Sequence, residues 1–74
     1  MSDKKKITIV DNISGELDRL GMTKEELSNI IGIDRKTFSA WKKKGELPGT
    51  MLLKCAKALN CSVDYLVRDV DVDM

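Results

Sequence analysis

Seventy-four residues make one small domain with no room for a second, and a chain of this size buries only about 60% of its unfolded surface, so a dimer would add stability. Thirteen Lys and Arg against twelve Asp and Glu leave a net charge of +1, with no His and two Cys. That inventory is too poor in ligands for a tetrahedral structural zinc site, offers no His for general-base work and no recognisable nucleophile motif, and contains no Gly-rich phosphate loop. No enzyme, metal or cofactor is expected.

Residues 1–6 are polar and basic, and Lys4–Lys6 are expected to form a mobile tail. Ile7-Thr8-Ile9-Val10 reads as a short extended segment with Ile7 and Ile9 on one face. It is too short for a secretory h-region, and no apolar stretch approaches the roughly 20 residues of a membrane span. A cytoplasmic chain is expected, with Cys55 and Cys61 reduced.

Asp11 or Asn12 can cap a first helix over about 13–20, whose Ile13, Leu17 and Leu20 form one stripe. Gly15 weakens it and Gly21 ends it. Thr23 with Glu26 three residues on is a capping box, so a second helix starts at Lys24. Leu27, Ile30 and Ile31 give its apolar side, and Gly32 suits a left-handed backbone that ends it. Asp34 then caps a third helix over about 35–43.

This third helix carries the chemistry. At about 100° per residue, Phe38 and Trp41 fall on one side, and Lys36, Ser39, Ala40 and Lys43 on the other. Arg35 to Lys44 holds five basic residues and no acidic one. A helix anchored by two aromatics, with a cationic, hydrogen-bonding outer face, fits a DNA major groove. In a helix-turn-helix the second helix of the pair lies there while the first crosses the backbone. The total charge hides this, because local charge sets the field at a phosphate backbone.

Gly45-Glu46-Leu47-Pro48-Gly49 is a loop, with Leu47 expected to plug the core. A fourth helix over about 50–59 presents Met51, Leu52, Cys55, Ala56 and Leu59 as the broad apolar face of a central helix. Asn60 suits a left-handed cap. Ser62 caps a short fifth helix over about 63–67, with Leu66 in the core. Asp69–Met74 alternates Asp with Val and Met and is expected to fray. The expectation is an all-α five-helix bundle with its core at about 11–68, helices 2 and 3 forming a helix-turn-helix.

The runs GMTKEELSNIIGIDRKTFSAWKKKGELP (21–48) and LLKCAKALNCSVDYLV (52–67) resemble the helix-turn-helix domain of phage CI-type repressors, within the wider Cro/CI (XRE-like) class of bacterial regulators. The resemblance spans about Leu17 to Val67. It implies a five-helix bundle whose third helix reads DNA, often as a dimer on a two-fold site. It implies a phosphate contact at Lys24, base-edge contacts from Arg35, Lys36 and Ala40, and backbone contacts near Thr37, Lys42 and Lys43. Ser28 takes the small-residue position where helices 2 and 3 cross. Ser39, from its place on the outer face, is a further candidate. Full-length phage repressors carry a second domain, which these residues lack; the acidic ending favours a complete small regulator.

Two functions follow. One is a sequence-specific DNA-binding transcriptional regulator, a repressor or Cro-like protein. The other is a protein-interaction module of the same fold, such as an antirepressor that binds another phage regulator, since a fold does not fix a function. Tyr65, with Val63, Val67 and Val70 nearby, marks the C-terminal region as the candidate homodimer or partner surface.

Overall fold

In the computed structural model of the chain, which describes residues 7–70, the first helix begins earlier than its sequence suggests. Helix α1 runs Ile9–Leu20, capped by Thr8. Thr8 Oγ1 accepts from Asp11 N at 3.1 Å and Thr8 N donates to Asp11 Oδ2 at 3.1 Å, a closed capping box. Ile9 and Val10 are therefore helical, not extended. Val10 joins Ile13 and Leu17 at a spacing of three and four, and all three are buried; tertiary burial outweighs the β-branched preference. Asn12, one of the two expected caps, has another task. Its Nδ2 donates to Leu66 O and Arg68 O, both at 2.8 Å, and ties the end of the chain to α1.

The remaining helices follow the expected punctuation. They are α2 Lys24–Ile31, α3 Arg35–Lys44, α4 Gly49–Leu59 and α5 Val63–Leu66. Gly21, Gly32, Gly45 and Asn60 all end helices in the left-handed region. Helix α4 starts one residue early, at Gly49, with Pro48 as a cap that offers no side-chain bond. Lys4–Lys6 and residues 71–74 of the acidic run lie outside the described residues.

Helix α4 is central: it packs on α1, α2 and α5, while α3 packs on α1 and α2. The core joins Val10, Ile13 and Leu17 to Leu27, Ile31, Phe38, Trp41, Cys55, Ala56, Leu59 and Leu66, and Leu47 closes it from the loop. Two expected stripe residues face out instead. Leu20 is 43% exposed and Ile30 58%, because each lies on the edge of its stripe with no element packed over it. Burial pushes the Cys55 thiol up to about 11, and Cys61 is free and half-buried.

One buried charge escaped the sequence reading. Glu16 is 2% exposed on the α5 side of α1. Arg19 Nε and Nη2 both donate to its Oε1, at 3.0 and 2.7 Å. That hydrogen bond holds the carboxyl below its ordinary value against the opposing effect of burial, with Tyr65 and Arg68 acting in the same direction as Arg19. A lowered carboxyl adds stability fully present above the ordinary value of 4.5 and lost as pH falls through the lower folded value. Glu16→Gln is thus expected to be less stable than the parent at pH 7, with the gap closing in acid; urea midpoints at neutral and acid pH measure this.

Two glycines make opposite predictions. Gly15 lies within α1 with open space where a Cβ would sit, so Gly15→Ala should stabilise by about 0.5–1 kcal/mol. Gly45 has φ +77°, and a Cβ there would meet Thr8 Cγ2 at 2.9 Å. Gly45→Ala should cost about 1–2 kcal/mol from the backbone alone. Urea denaturation of the two variants tests both signs.

Candidate nucleic-acid interface

The site is assembled by two helix starts and one tight turn. At α2, Thr23 Oγ1 accepts from Glu26 N at 3.0 Å while Thr23 N donates to Glu26 Oε1 at 2.8 Å. This capping box sets Lys24 on the first turn of α2, exposed to solvent. At the far end, Gly32 adopts φ 78° and Ile33 N donates to Ser28 O at 2.9 Å, which closes α2 and turns the chain. Asp34 follows as the cap of α3, its Oδ1 accepting from Lys36 N at 3.5 Å and its main-chain oxygen from Thr37 N at 2.9 Å.

Buried aromatics fix the rotation of α3 about its own axis. Phe38 and Trp41 are buried, with ring centroids 6.0 Å apart and planes tilted by 50°. Ser28 is buried on α2, and its Oγ donates to Lys24 O at 2.9 Å, so it leaves no orphaned hydroxyl. At 2% exposure Ser28 leaves no room for a larger side chain at this position on α2. Ser28→Leu should therefore cost about 1–3 kcal/mol by overpacking, whereas Ser28→Ala should be tolerated; thermal or urea unfolding separates them.

With that side buried, the opposite side of α3 faces solvent. Arg35, Lys36, Ser39, Ala40 and Lys43 line one shallow depression, which no acidic residue shares. A second cleft opens between α1, the start of α2 and α3. Lys24, Arg35 and Lys42 line it together with Ser14, Asp18, Thr23 and Glu25. Arg35 belongs to both. Seven of the eight candidate residues, Lys24, Arg35, Lys36, Ser39, Ala40, Lys42 and Lys43, thus fall on these two adjoining surfaces. Thr37 is half-buried at the flank and lines neither. Lys44 points away, beside Trp41, Glu46 and Pro48.

The two surfaces differ electrostatically. The α3 depression carries three cations, while the cleft carries three cations and the carboxylates of Asp18 and Glu25. Among the described residues the one salt bridge is Arg19–Glu16, so Arg35, Lys36, Lys42 and Lys43 form no salt bridge with a described carboxylate. Asp18 and Glu25 were not singled out from the sequence; Asp18 reaches the cleft through the packing of α1 on α3, which no local spacing reports, and Glu25 follows Lys24 on the first turn of α2. The described residues hold no cluster of three metal-ligating side chains, and no helix among them is long and apolar enough to cross a membrane.

No curated protein matches the chain. A family model described as the bacteriophage CI repressor helix-turn-helix domain matches residues 11–71.

Proposed function

Because the chain belongs to the bacteriophage CI repressor helix-turn-helix family, we propose that it is a sequence-specific DNA-binding transcriptional regulator that lays α3 in the major groove. The observation that carries this reading is the solvent-facing, acid-free side of α3, formed by Arg35, Lys36, Ser39, Ala40 and Lys43. A major groove admits one helix, and its base edges are read by short or forked polar side chains and by apolar contact with the thymine methyl.

Each residue takes the task its chemistry suits. Arg35 donates its guanidinium fork to the O6 and N7 of a guanine. Lys36 and Ser39 hydrogen-bond to neighbouring base edges or phosphates, and Ala40 packs on a thymine methyl. Lys42, Lys43 and Lys24 neutralise phosphates on either side, with Thr37 at the flank. Each phosphate neutralised steepens the dependence of log affinity on log salt by roughly 0.9.

A second copy joins at the C-terminal end, where Tyr65 is 40% exposed and Leu20 is exposed on the neighbouring end of α1. Two copies then engage half-sites about one helical turn, or roughly 34 Å, apart.

Mobility shift on DNA flanking the gene, at low and physiological salt, tests the reading, with Lys36→Glu as control. A saturable shift that survives competitor DNA and is lost in the variant supports it. Absence of any specific shift transfers the reading to a protein-interaction module, such as an antirepressor. On a bound site, Arg35→Ala should cost about 1–3 kcal/mol and relax preference at one base pair; equal loss on specific and scrambled DNA would reassign Arg35 to a phosphate.

A further inference from the structure

Trp41 anchors α3, yet its indole N–H is not used by the core. The residue is 7% exposed. Among the described residues that are not exposed, Ser14 Oγ is the one enclosed side-chain oxygen or nitrogen without a partner. The Trp41 indole nitrogen makes no hydrogen bond with a described residue, so it is not enclosed, and its N–H reaches the surface. It opens on the depression that Trp41 lines with Lys44, Glu46, Leu47 and Pro48. Lys44 forms no salt bridge with a described carboxylate.

The same depression borders the start of α4, which differs from the other helix starts. Thr8, Thr23, Asp34 and Ser62 each cap a helix with a side-chain oxygen, whereas Pro48 offers none. The first α4 amide with a partner inside the helix is Leu52 N, which donates to Pro48 O at 3.0 Å. The amides of Gly49, Thr50 and Met51 are left at an uncapped, electropositive helix end. Gly49 has open space where a Cβ would sit, so an acceptor can approach the backbone there.

Indole N–H, ammonium and uncapped helix amides are all donors, and together they suit an anion. Helical angles say which one. Taking Trp41 as zero, Arg35 and Lys42 lie at roughly +120° and +100°, and Thr37 and Lys44 at roughly −40° and −60°. The two pairs flank the outer face of Lys36, Ser39, Ala40 and Lys43 on opposite sides. A major groove about 12 Å wide holds a helix about 10–12 Å across, so each flank of the helix faces one phosphate strand.

We propose that Trp41 donates its indole N–H to a DNA phosphate on the flank of α3 opposite Lys24 and Lys42, with Lys44 and the first α4 amides as its companions. This rests on the reading that α3 lies in a major groove. One side chain then sets both the rotation of α3, by burial of its rings, and the depth of α3 in the groove, by its N–H. Glu46 is the one acidic residue lining the depression, and it opposes binding.

NMR of the labelled full chain, titrated with a duplex from DNA flanking its gene and separately with inorganic phosphate, tests the site. Trp41 is the single tryptophan, so one indole peak reports on it. The peak is expected to shift saturably with the duplex, in step with the α3 amides. Pro48→Asp sets a carboxylate over the α4 amides. It should unfold at no lower urea concentration than the parent, because Asp is a good cap, yet bind the duplex about tenfold more weakly. Lys44→Gln should flatten the dependence of log affinity on log salt by roughly 0.9, and Glu46→Gln should bind more tightly. An indole peak unmoved while the α3 amides shift overturns the site and leaves α3 as the reader. A peak moved by inorganic phosphate and not by the duplex overturns the assignment to DNA. Parent-like binding by Pro48→Asp, or an unchanged slope in Lys44→Gln, overturns the site as well. No saturable shift on any residue overturns the groove reading together with it.

Discussion

The burial of Phe38 and Trp41 is the constraint on which the rest of the structure depends. Three residues apart on α3, they lie on one side of the helix and are buried in the same core as Leu27, Cys55 and Leu66. Sinking that side commits the other to solvent. Lys36, Ser39, Ala40 and Lys43 face outward because their helical angles oppose the rings, Arg35 joins them from the flank, and no other described residue lines their depression. The Gly32 turn and the Asp34 cap set where α3 starts; the aromatics set which way it looks. A chain with the same charges and no such anchor would present them in no fixed orientation.

Most of this was legible because it is local. A capping box needs a Thr and a Glu three apart, and a left-handed cap needs Gly or Asn. Thr23, Glu26, Gly32, Asp34, Asn60 and Ser62 satisfy those rules and behave accordingly. The candidate residues on α3 were legible for the same reason, since helical periodicity fixes their side once Phe38 and Trp41 are assigned to the core.

What escaped the sequence was set by partners distant in the chain. Ile9 and Val10 look like strand residues, yet Thr8 and Asp11 close a cap around them, and Val10 is fully buried. Asn12 looks like a cap, but its amide is used by carbonyls 54 and 56 residues away. Glu16 reads as a surface charge until Arg19 and the α5 region enclose it. Ile30 and Leu20 read as core by spacing and lie at its edge. Each case turns on which elements pack over a helix, which pattern within that helix cannot report.

Charge shows the same division between local and global. A net +1 conceals a cationic α3 face, a mixed cleft with Asp18 and Glu25, and an acidic–apolar run at 69–74. In the proposed complex the carboxylates at the cleft repel a phosphate, so they favour a register in which the α3 depression, Arg35 included, meets the base edges and the cleft meets the backbone only through Lys24 and Lys42. The most direct measurement is amide chemical-shift mapping of the labelled chain titrated with a duplex taken from DNA flanking its gene. The account predicts that the largest saturable changes fall on Arg35, Lys36, Ser39, Ala40 and Lys43, with Lys24 next. Saturable binding that leaves those amides unmoved would contradict it.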